Sequence, residues 1–564
     1  MLQARSLVPF SLAALLLPAV AAAQVLHVDV SLTTGADDGT SWANAYQGSE
    51  GLHAALASAP DGAEIWLTSG TYKPSATGDK TRAFLVEGTR IVLRGGFAGT
   101  ESNVLERPPR GTAPTVLSGD LAGNDGIAMV SPADNSPVVL DVDGTFATFE
   151  NLTVSGGGLL APGTLGAIDV QSSNIVTPHT VRFEHVVVER GYGRGVGSIA
   201  SNMPGAGVGL AFSDCTFRDL VNSAVFMDSV EGCRVDRCVF QRCGNGLEFR
   251  WSWGITRIRD TVIQDCSGVG ICLCWEFFFE VPPSVVIQGC TIAGNGGTAV
   301  LQTDAGSGPL GPFDILLRNS IVWGNAFGLF GEVDAEHSIV QGGAGSGPGV
   351  LGVDPLFVDF NGGDLRLTPG SPAVDRGAEA DVELDGLDVV RRHRVVDIAG
   401  VPNGGPSERN AVDLGAIEFT GAIGHNGDCG AEVNSTGRPG RISARGSSDA
   451  LSNDFALIAE LLPPQQFGMF ITSRSLGQVP MAGGLGTLCL GGQIGRFNGP
   501  GQIQLSSAAG TIALGVDLTQ VPQPSARVGV SPGDTWRFQL WHRDVDAAGV
   551  PANQMTGLVT VTFD

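Results

Sequence analysis

Three cysteines and the residues that follow them are the first part of the chain that could do chemistry. Cys233, Cys238 and Cys243 are spaced five apart in the segment CRVDRCVFQRCGNGLEFRW. Thiolates bind zinc or exchange disulfides, but structural zinc sites usually show short pairs such as C-x2-C. The spacing therefore favours small buried side chains over a metal or redox site, and both interpretations stay open at this level.

The end of the same segment carries an acid and a base beside aromatic residues. Carbohydrates stack their apolar faces on aromatic rings and hydrogen-bond to charged groups, so the sequence predicts a glycan site here. Its predicted members are Glu248, Arg250, Trp253, Trp275 and Glu276. The alternative is that the aromatic loop EFFFE only covers an apolar strip formed by neighbouring outward residues.

A third cluster could hold calcium. Asp381, Glu383 and Asp385 alternate before Gly386, as at the start of an EF-hand loop. The closing glutamate is replaced by Arg392, which excludes a complete EF-hand. A looser calcium site and a solvated acidic loop both remain, and no other cofactor is expected.

Composition limits the partners of the chain. The 564 residues include 82 glycines and carry a formal net charge of −24, which opposes binding to nucleic acid or anionic lipid. Residues 1–23 have a basic start, an apolar stretch broken by prolines and small residues before Gln24, which is typical of a cleaved export signal. We expect a secreted or cell-surface monomer with no transmembrane segment in the mature chain.

The elements that must position these groups are repeats of about two dozen residues. The repeats SDCTF, DRCVF, RDTVI, QGCTI, RNSIV and EHSIV align, with central residues Cys215, Cys238, Thr261, Cys290, Ser320 and Ser338. Apolar columns on both sides of each centre alternate with polar positions, which indicates short half-buried strands. Such units bury their inner faces only by stacking, so the columns predict an all-β parallel β-helix solenoid.

The same alignment predicts the direction of the site residues. Leu247 and Phe249 fall in inward columns, so Glu248 and Arg250 are expected to point outward. Cys272 and Cys274 are placed inward as well, in line with Phe226, Phe249 and Leu301. The residues placed outward beside them are Val225, Met227, Ile271 and Leu273.

Flanking segments resemble secreted bacterial β-helix surface proteins with a pectin-lyase-like, right-handed fold. The segments TSWANAYQ, GLHAALASA and AEIWLTSGTYKPS resemble their N-terminal cap, in which an amphipathic helix would close the end of the solenoid. The segments VDPLFVDFNGGDLRLTPGSPAVDRG and VDLGAIEF resemble the closing segment called choice-of-anchor Q. The resemblance implies a β-helix domain over residues 24–420, with the choice-of-anchor segment at 350–420, and it carries no catalytic residues over.

Beyond residue 420 the repeats stop. Alternating strands with Gly and Pro turns predict a C-terminal β-sandwich over residues 421–564. Cys429 and Cys489 are the only cysteines in this region, so we expect a disulfide between them.

These observations predict an exported scaffold that binds carbohydrate or adheres to surfaces without catalysis. The alternative is a polysaccharide lyase or glycoside hydrolase that uses the outer face near Glu248 and Arg250. The two differ in geometry, because an enzyme needs several acids, or an acid and an arginine, that converge in a cleft.

Overall fold

The structure is a computed structural model of the chain. It describes residues 24–108, 110–125, 132–157, 166–171, 179–199, 208–228, 230, 232–250, 254–275, 284–304, 314–343, 347–368, 370–378, 386–391, 394–395, 412–419, 425–426, 431–446, 450–451, 453–480, 486–507, 510–545 and 551–563. The chain is divided into two compact units. The first contains the residues up to Leu365 with Leu387–Val390 and Leu414–Ile417, and the second contains Arg366–Gly386, Arg391–Asp413 and Glu418–Asp564.

The first unit is a parallel β-helix built from three sheets, which confirms the predicted fold class. Sheet 1 has twelve strands in the order Tyr46–Gln47, Val25–Asp29, Ala63–Thr68, Ile91–Phe97, Ala147–Glu150, His179–Glu184, Val208–Ser213, Cys233–Asp236, Ile255–Arg259, Ser284–Gln288, Asp314–Arg318 and Val333–Glu336. Sheet 2 has ten, Gly70–Tyr72, Thr115–Ser118, Thr153–Ser155, Val187–Gly191, Thr216–Leu220, Val239–Cys243, Val262–Gln264, Thr291–Ala293, Ile321–Trp323 and Ile339–Val340. Sheet 3 has nine, Phe84–Glu87, Leu140–Asp143, Ile168–Gln171, Val196–Ile199, Val225–Asp228, Leu247–Arg250, Ile271–Trp275, Thr298–Asp304 and Phe327–Phe330.

The inward columns form one continuous core along the solenoid. The predicted stacks are in register, because Leu210 pairs with Cys233 and Phe217 pairs with Phe240 on adjacent strands. Identical side chains stack where the column repeats, and the rings of Phe217 and Phe240 lie 4.8 Å apart. Burial of each inner face by the coils on either side supplies the main driving force for the solenoid.

A tight turn joins sheet 1 to sheet 2 in each repeat. The residue before the column centre takes a left-handed conformation, as at Asp214 (φ 56°), Arg237 (φ 51°) and Asp260 (φ 49°). Asp tolerates this conformation better than β-branched residues do, and the unbranched Cβ of Arg237 also accommodates it. Because the chain turns sharply at this residue, the column centre lies at the corner, and the inward column of sheet 2 begins two residues after it.

An α-helix, Gly48–Ser58, covers the N-terminal end of the solenoid. It contacts the first strand of each of the three sheets. The predicted apolar face is buried in the main core, with Leu52 and Ala55 fully inaccessible. The other helices among the described residues are the 3-10 turns Trp42–Asn44, Val104–Glu106, Pro132–Asp134 and Gln341–Gly343. Among the described residues, no helix has the length and hydropathy needed to cross a membrane.

Three short stretches of the first unit cover the outer face of sheet 2. Ala416 is buried against Val262 and Ala293, and Phe357 and Phe360 pack on the same cluster. The main chain is fastened there by Gly415, whose amide donates to the carbonyl of Asn319. Two short strands, Phe357–Asp359 and Asp364–Leu367, lie in this part of the sequence.

In the second unit, antiparallel sheets share a hydrophobic core that includes Trp536, Phe538 and Leu457, an arrangement like a β-sandwich. One sheet joins His425–Asn426, Val559–Thr562, Thr535–Val545, Phe467–Ser473 and Gly495–Arg496, with Ile503–Leu505 and Pro551–Met555 paired to its central strands. The other sheets are Arg441–Gly446 with Phe455–Glu460 and Ile512–Gly515, Ser475–Pro480 with Thr487–Gly491, and Val521–Pro522 with Arg527–Val528. The predicted domain boundary at residues 420 and 421 stays a prediction.

The second unit also contains a buried charge cluster. Arg394, Asp375, Asp413 and Glu418 are all fully inaccessible, and Arg394 Nη1 lies 3.4 Å from Glu418 Oε2. The Asp413 carboxylate accepts from the amides of Asp375 at 2.8 Å and Phe419 at 2.5 Å. Burial raises the pKa of Asp413 to about 7, and these two amides and Arg394 oppose the rise.

Candidate functional site

The outer face of sheet 3 carries the predicted acid and base. Leu247 and Phe249 lie in the core, so Glu248 and Arg250 on the same strand point away from it, as predicted. Glu248 is nevertheless buried, with 8% of its surface exposed. The strand that carries Glu248 is hydrogen-bonded to a neighbouring strand on both sides. The backbone of Glu248 is therefore held in a fixed position.

Two contacts hold the Glu248 carboxylate. Ser223 Oγ donates to Oε2 at 2.6 Å, and Arg250 Nη2 donates to Oε1 at 3.1 Å. Ser223 comes from the turn between sheets 2 and 3 of the preceding coil, and Asn245 from the next turn donates to Ser223 Oγ at 3.4 Å. Both carboxylate oxygens are therefore engaged within the protein.

An arginine that the sequence did not single out completes this surface. The Arg194 guanidinium lies 3.7 Å from the centre of the Phe226 ring, and the Arg250 guanidinium lies 5.1 Å from the same ring. Phe226 pairs with Glu248 on the next strand, so the ring lies outward and is covered by the two cations. Guanidinium groups over a ring face gain a favourable cation–π contact. We name Arg194, Ser223, Phe226, Glu248 and Arg250 the outer strip.

Arg194 differs from most arginines of the solenoid in having no acceptor among the described residues. Within the part of the chain that the structure describes, its side chain makes no hydrogen bond or ion pair, and its Nε atom is buried. Burial lowers the pKa of Arg194, while the nearby Glu248 carboxylate opposes that effect. By contrast, Arg218 and Arg237 on other faces pair with Glu189 and Asp214.

The predicted direction of Cys272 and Cys274 is wrong. Cys272 pairs with Glu248 and Cys274 with Arg250, so both lie in outward columns. The residues predicted to be outward, Val225, Met227, Ile271 and Leu273, are all in the core. The strand of sheet 3 begins five positions after Leu220 in one coil but four after Cys243 in the next, and a shift of one residue exchanges the two faces of a strand.

Six other cysteines behave as predicted. Cys215, Cys233, Cys238, Cys243, Cys266 and Cys290 are free and buried. Burial raises the pKa of the Cys233 thiol, because the charged thiolate loses its water there. These thiols fill inward columns, and the described residues contain no grouping of three His, Cys, Asp or Glu side chains that could hold a metal ion.

Several predicted site residues fall outside the described part of the chain. These are Trp253, Glu276, Asp381, Glu383, Asp385 and Cys429. Trp275 ends the strand Ile271–Trp275, and only its backbone is described. Cys489 is buried and disulfide-bonded, and its predicted pairing with Cys429 stays a prediction. The calcium site also stays a prediction.

Toward the last strand, the outer face of sheet 3 becomes apolar. Cys272 pairs with Leu301, and Leu301 pairs with Phe330, which is 59% exposed. A pocket of about 680 Å³ lies here, lined by Thr298, Leu301, Asn325, Ala326, Phe327, Gly328, Leu329, Phe330, Gln341 and Gly342. The same face therefore offers charged donors at the outer strip and exposed aromatic rings at its end.

Comparison with known proteins agrees with the fold. Residues 138–320 match the family model described as right handed beta helix region, which gives the handedness. This match spans the outer strip and the cysteine repeats. A search of curated protein sequences found no match.

Solved structures with a similar fold include enzymes that act on polysaccharides. Pectate lyase Pel9A is 14% identical, with 70% of this chain and 96% of that chain covered at a TM-score of 0.39. A rhamnogalacturonan lyase is 12% identical, with 61% and 93% covered at a TM-score of 0.35. The A-module of the Azotobacter vinelandii mannuronan C-5 epimerase AlgE6 is 13% identical, with 58% and 100% covered at 0.21. At these identities, no residue role is transferred to this chain.

Proposed function

We propose that the protein is an exported scaffold that binds carbohydrate without catalysis, and that the outer strip is its contact surface. The observation that carries the proposal is the half-buried Arg194 guanidinium, which packs on Phe226 and has no acceptor within the described residues. The predicted leader, residues 1–23, would bring this face to extracellular polysaccharides.

An arginine in this state is prepared to receive a ligand. A guanidinium presents five N–H donors in a planar fork, and burying it without an acceptor costs free energy that a ligand oxygen would recover. Because Phe226 and the neighbouring Glu248 charge hold the group in place, little side-chain entropy remains to be lost on binding. Hydroxyl and carboxylate oxygens of a polysaccharide are suitable acceptors.

The two arginines offer cationic donors to an acidic sugar, in a surrounding that also contains the carboxylates of Asp169, Asp228 and Glu248. Arg194 and Arg250 stand over one ring, and Glu248 is already bonded to Ser223 and Arg250. A sugar carboxylate can accept two parallel hydrogen bonds from a guanidinium, which makes it a stronger partner than a hydroxyl. The exposed rings at the end of sheet 3 would add stacking for a chain that runs along the face.

The state of Glu248 favours binding over catalysis. A general acid or base must reach the reacting proton, and both oxygens of Glu248 are occupied by Ser223 and Arg250. Its role in the outer strip is to orient Arg250.

A glycan array followed by titration with the polysaccharides that bind tests the proposal. We expect Arg194→Gln to weaken binding by about 10-fold or more, because a hydrogen bond to a charged group contributes roughly 1.5–3 kcal/mol. The matched control is Arg182→Gln, which removes an exposed arginine from the outer face of sheet 1 and should leave affinity unchanged. Equal affinity of the Arg194→Gln variant and the unaltered protein would contradict the proposal.

The same polysaccharides, incubated with the protein and calcium, separate binding from catalysis. Release of products with unsaturated ends, or of new reducing ends, would replace the non-catalytic proposal with a lyase or a hydrolase. Binding without such products supports the scaffold.

A further inference from the structure

The outer face of sheet 3 carries a disulfide of unusual position. Cys272 and Cys274 are bonded to each other although only Leu273 separates them in the chain. Both lie on the outward side of the strand Ile271–Trp275, whose inward residues Ile271 and Leu273 belong to the core. The bond therefore lies on the surface side of one strand and joins no separate parts of the fold.

Such a bond adds little to the stability of the solenoid. A disulfide stabilises mainly by restricting the unfolded chain, and the effect is smallest for the shortest loop. The strand is already held by ladders to Leu247–Arg250 and Thr298–Asp304. The cysteines that stack from coil to coil, where a bridge would join distant residues, are free thiols.

The two sulfurs have different surroundings. Cys272 is 7% exposed and pairs with Glu248 on the preceding strand, whereas Cys274 is half-buried and pairs with Arg250. On the following strand the partners are uncharged, Leu301 and Thr303. A cation beside a cysteine stabilises its thiolate and a carboxylate disfavours it. Cys274 is therefore the more accessible residue of the pair, and its strand neighbour Arg250 is the cation that could favour its thiolate.

We propose that Cys272 and Cys274 form a redox-active pair that exchanges disulfides with external thiols. The arrangement combines a half-buried cysteine whose strand neighbour is Arg250 with a sheltered cysteine whose strand neighbour is Glu248. This activity is separate from carbohydrate binding, although it uses the same face of the solenoid.

The exchange proceeds in two steps with glutathione as the external thiol. A glutathione thiolate attacks Cys274 Sγ, a mixed disulfide forms, and the Cys272–Cys274 bond breaks with its electron pair on Cys272, which takes a proton from water. A second glutathione thiolate attacks the glutathione sulfur of the mixed disulfide and releases Cys274 as thiolate. Two thiols are oxidised to glutathione disulfide, and the protein pair gains two electrons. The reverse sequence re-forms the protein disulfide.

Arg250 acts as a positioning residue in this scheme. Its guanidinium is fixed by Glu248 at 3.1 Å and does not enter the bond exchange. Its charge would favour the thiolate form of Cys274, which leaves in the second step and attacks glutathione disulfide in the reverse sequence.

The first experiment uses the full, unaltered chain in buffers with a range of ratios of reduced to oxidised glutathione. After an acid quench and alkylation, mass spectrometry measures the redox state of the peptide that contains Cys272 and Cys274. We expect the pair to interconvert reversibly in the folded protein while the six core thiols stay unlabelled. A pair that stays oxidised until the protein unfolds, or stays reduced in excess glutathione disulfide, would overturn the proposal.

Single variants test the asymmetry of the pair. With glutathione disulfide, the free Cys274 of Cys272→Ser should form an adduct at least about 10-fold faster than the free Cys272 of Cys274→Ser, because exposure and thiolate fraction both favour Cys274. The double variant Cys272→Ser/Cys274→Ser is the control and should form no adduct in the folded state. Equal or reversed rates would refute the assigned roles.

Arg250 is tested in the Cys272→Ser background through the pH dependence of alkylation. Arg250→Gln should move the midpoint of the pH–rate profile of Cys274 to higher pH, and Arg250→Lys should restore most of it. A midpoint that does not move would remove Arg250 from the scheme, because a merely structural contribution changes stability and leaves that midpoint in place.

Discussion

Ser223 donates a 2.6 Å hydrogen bond to Glu248, which lies one coil further along the solenoid. The donor comes from a turn and the acceptor from a strand, and both residues are buried. Glu248 in turn holds Arg250, which stands with Arg194 over the Phe226 ring. One hydrogen bond from an uncharged hydroxyl therefore fixes the Glu248 carboxylate, which in turn holds Arg250.

We expect Ser223→Ala to destabilise the protein by about 1–3 kcal/mol, because it removes one partner of a buried carboxylate. Carbohydrate affinity should fall as well, since Arg250 loses its fixed anchor. Urea denaturation and glycan titration measure the two effects. Ser213→Ala, in the last position of a sheet 1 strand, is the control and should change neither. A normal free energy of unfolding in Ser223→Ala would show that Glu248 does not depend on this bond.

The solenoid could be predicted from the sequence because the apolar pattern that drives its folding repeats in every coil. Each coil places apolar residues at the same offsets from a centre such as Cys215 or Cys238, and stacking the coils in register buries these residues together. The helix over the N-terminal end was predictable for the same reason, since Leu52 and Ala55 lie on one apolar face.

The outer strip was only half predictable. Glu248 and Arg250 follow from the alternation around Leu247 and Phe249, but Arg194 comes from a turn, where no period constrains the side chain. The outward disulfide was missed because one turn is a residue shorter than its neighbours, and the alignment therefore carried Cys272 to the wrong face. Register at short turns is set by backbone geometry that the repeat pattern does not record.

Asn295 and Asn325 continue the column of Cys243 and Cys266 in later coils and form an asparagine ladder. We expect this ladder to be essential for the stability of these coils. Asn295 accepts from the amide of Cys266 at 3.0 Å and donates to the carbonyl of Ile263 and to Asn325 Oδ1. Asn295→Ala leaves buried backbone groups without partners, so we expect a loss of roughly 2–4 kcal/mol in the free energy of unfolding.

The control for the ladder is Gln264→Ala on the outward side of sheet 2, whose amide donates to Gln241 Oε1 at 3.4 Å. It should cost less than about 0.5 kcal/mol. Equal losses in Asn295→Ala and Gln264→Ala, measured by urea denaturation, would show that the ladder has no special role.

Gly415 lies where the covering segment packs tightly against sheet 2. Its φ is +94°, and a Cβ there would lie 2.7 Å from Thr291 Oγ1 and 2.8 Å from Ile321 Cδ1. Gly415→Ala should therefore cost at least about 1 kcal/mol and loosen residues 414–417 from the sheet. Hydrogen exchange measured on peptides from this segment should accelerate. Gly370→Ala, where a Cβ meets open space, should leave exchange unchanged.

The buried carboxyl of Asp413 makes stability depend on pH in an unusual direction. Its pKa is raised from an ordinary 3.8 to about 7, so between these values the folded protein binds more protons than the unfolded chain. Its contribution is fully present below pH 3.8 and is lost as the pH rises through 7. The loss is at most about 4 kcal/mol across this window.

We expect Asp413→Asn to be less stable at low pH, because one of the two amide hydrogen bonds is lost, but to show a flatter stability profile between pH 4 and 7.5. Urea denaturation midpoints of both proteins across this range measure the difference.

Asp517→Asn serves as a control with the opposite pH dependence. Hydrogen bonds, above all the one from the Thr519 side chain, lower the pKa of Asp517, so the contribution of Asp517 to stability is lost as the pH falls below 3.8. The difference between Asp413→Asn and the unaltered protein should therefore shrink with rising pH, while that of Asp517→Asn should not. Parallel profiles for the unaltered protein and Asp413→Asn would show that Asp413 stays ionised in the folded state, held by Arg394 and the two amides.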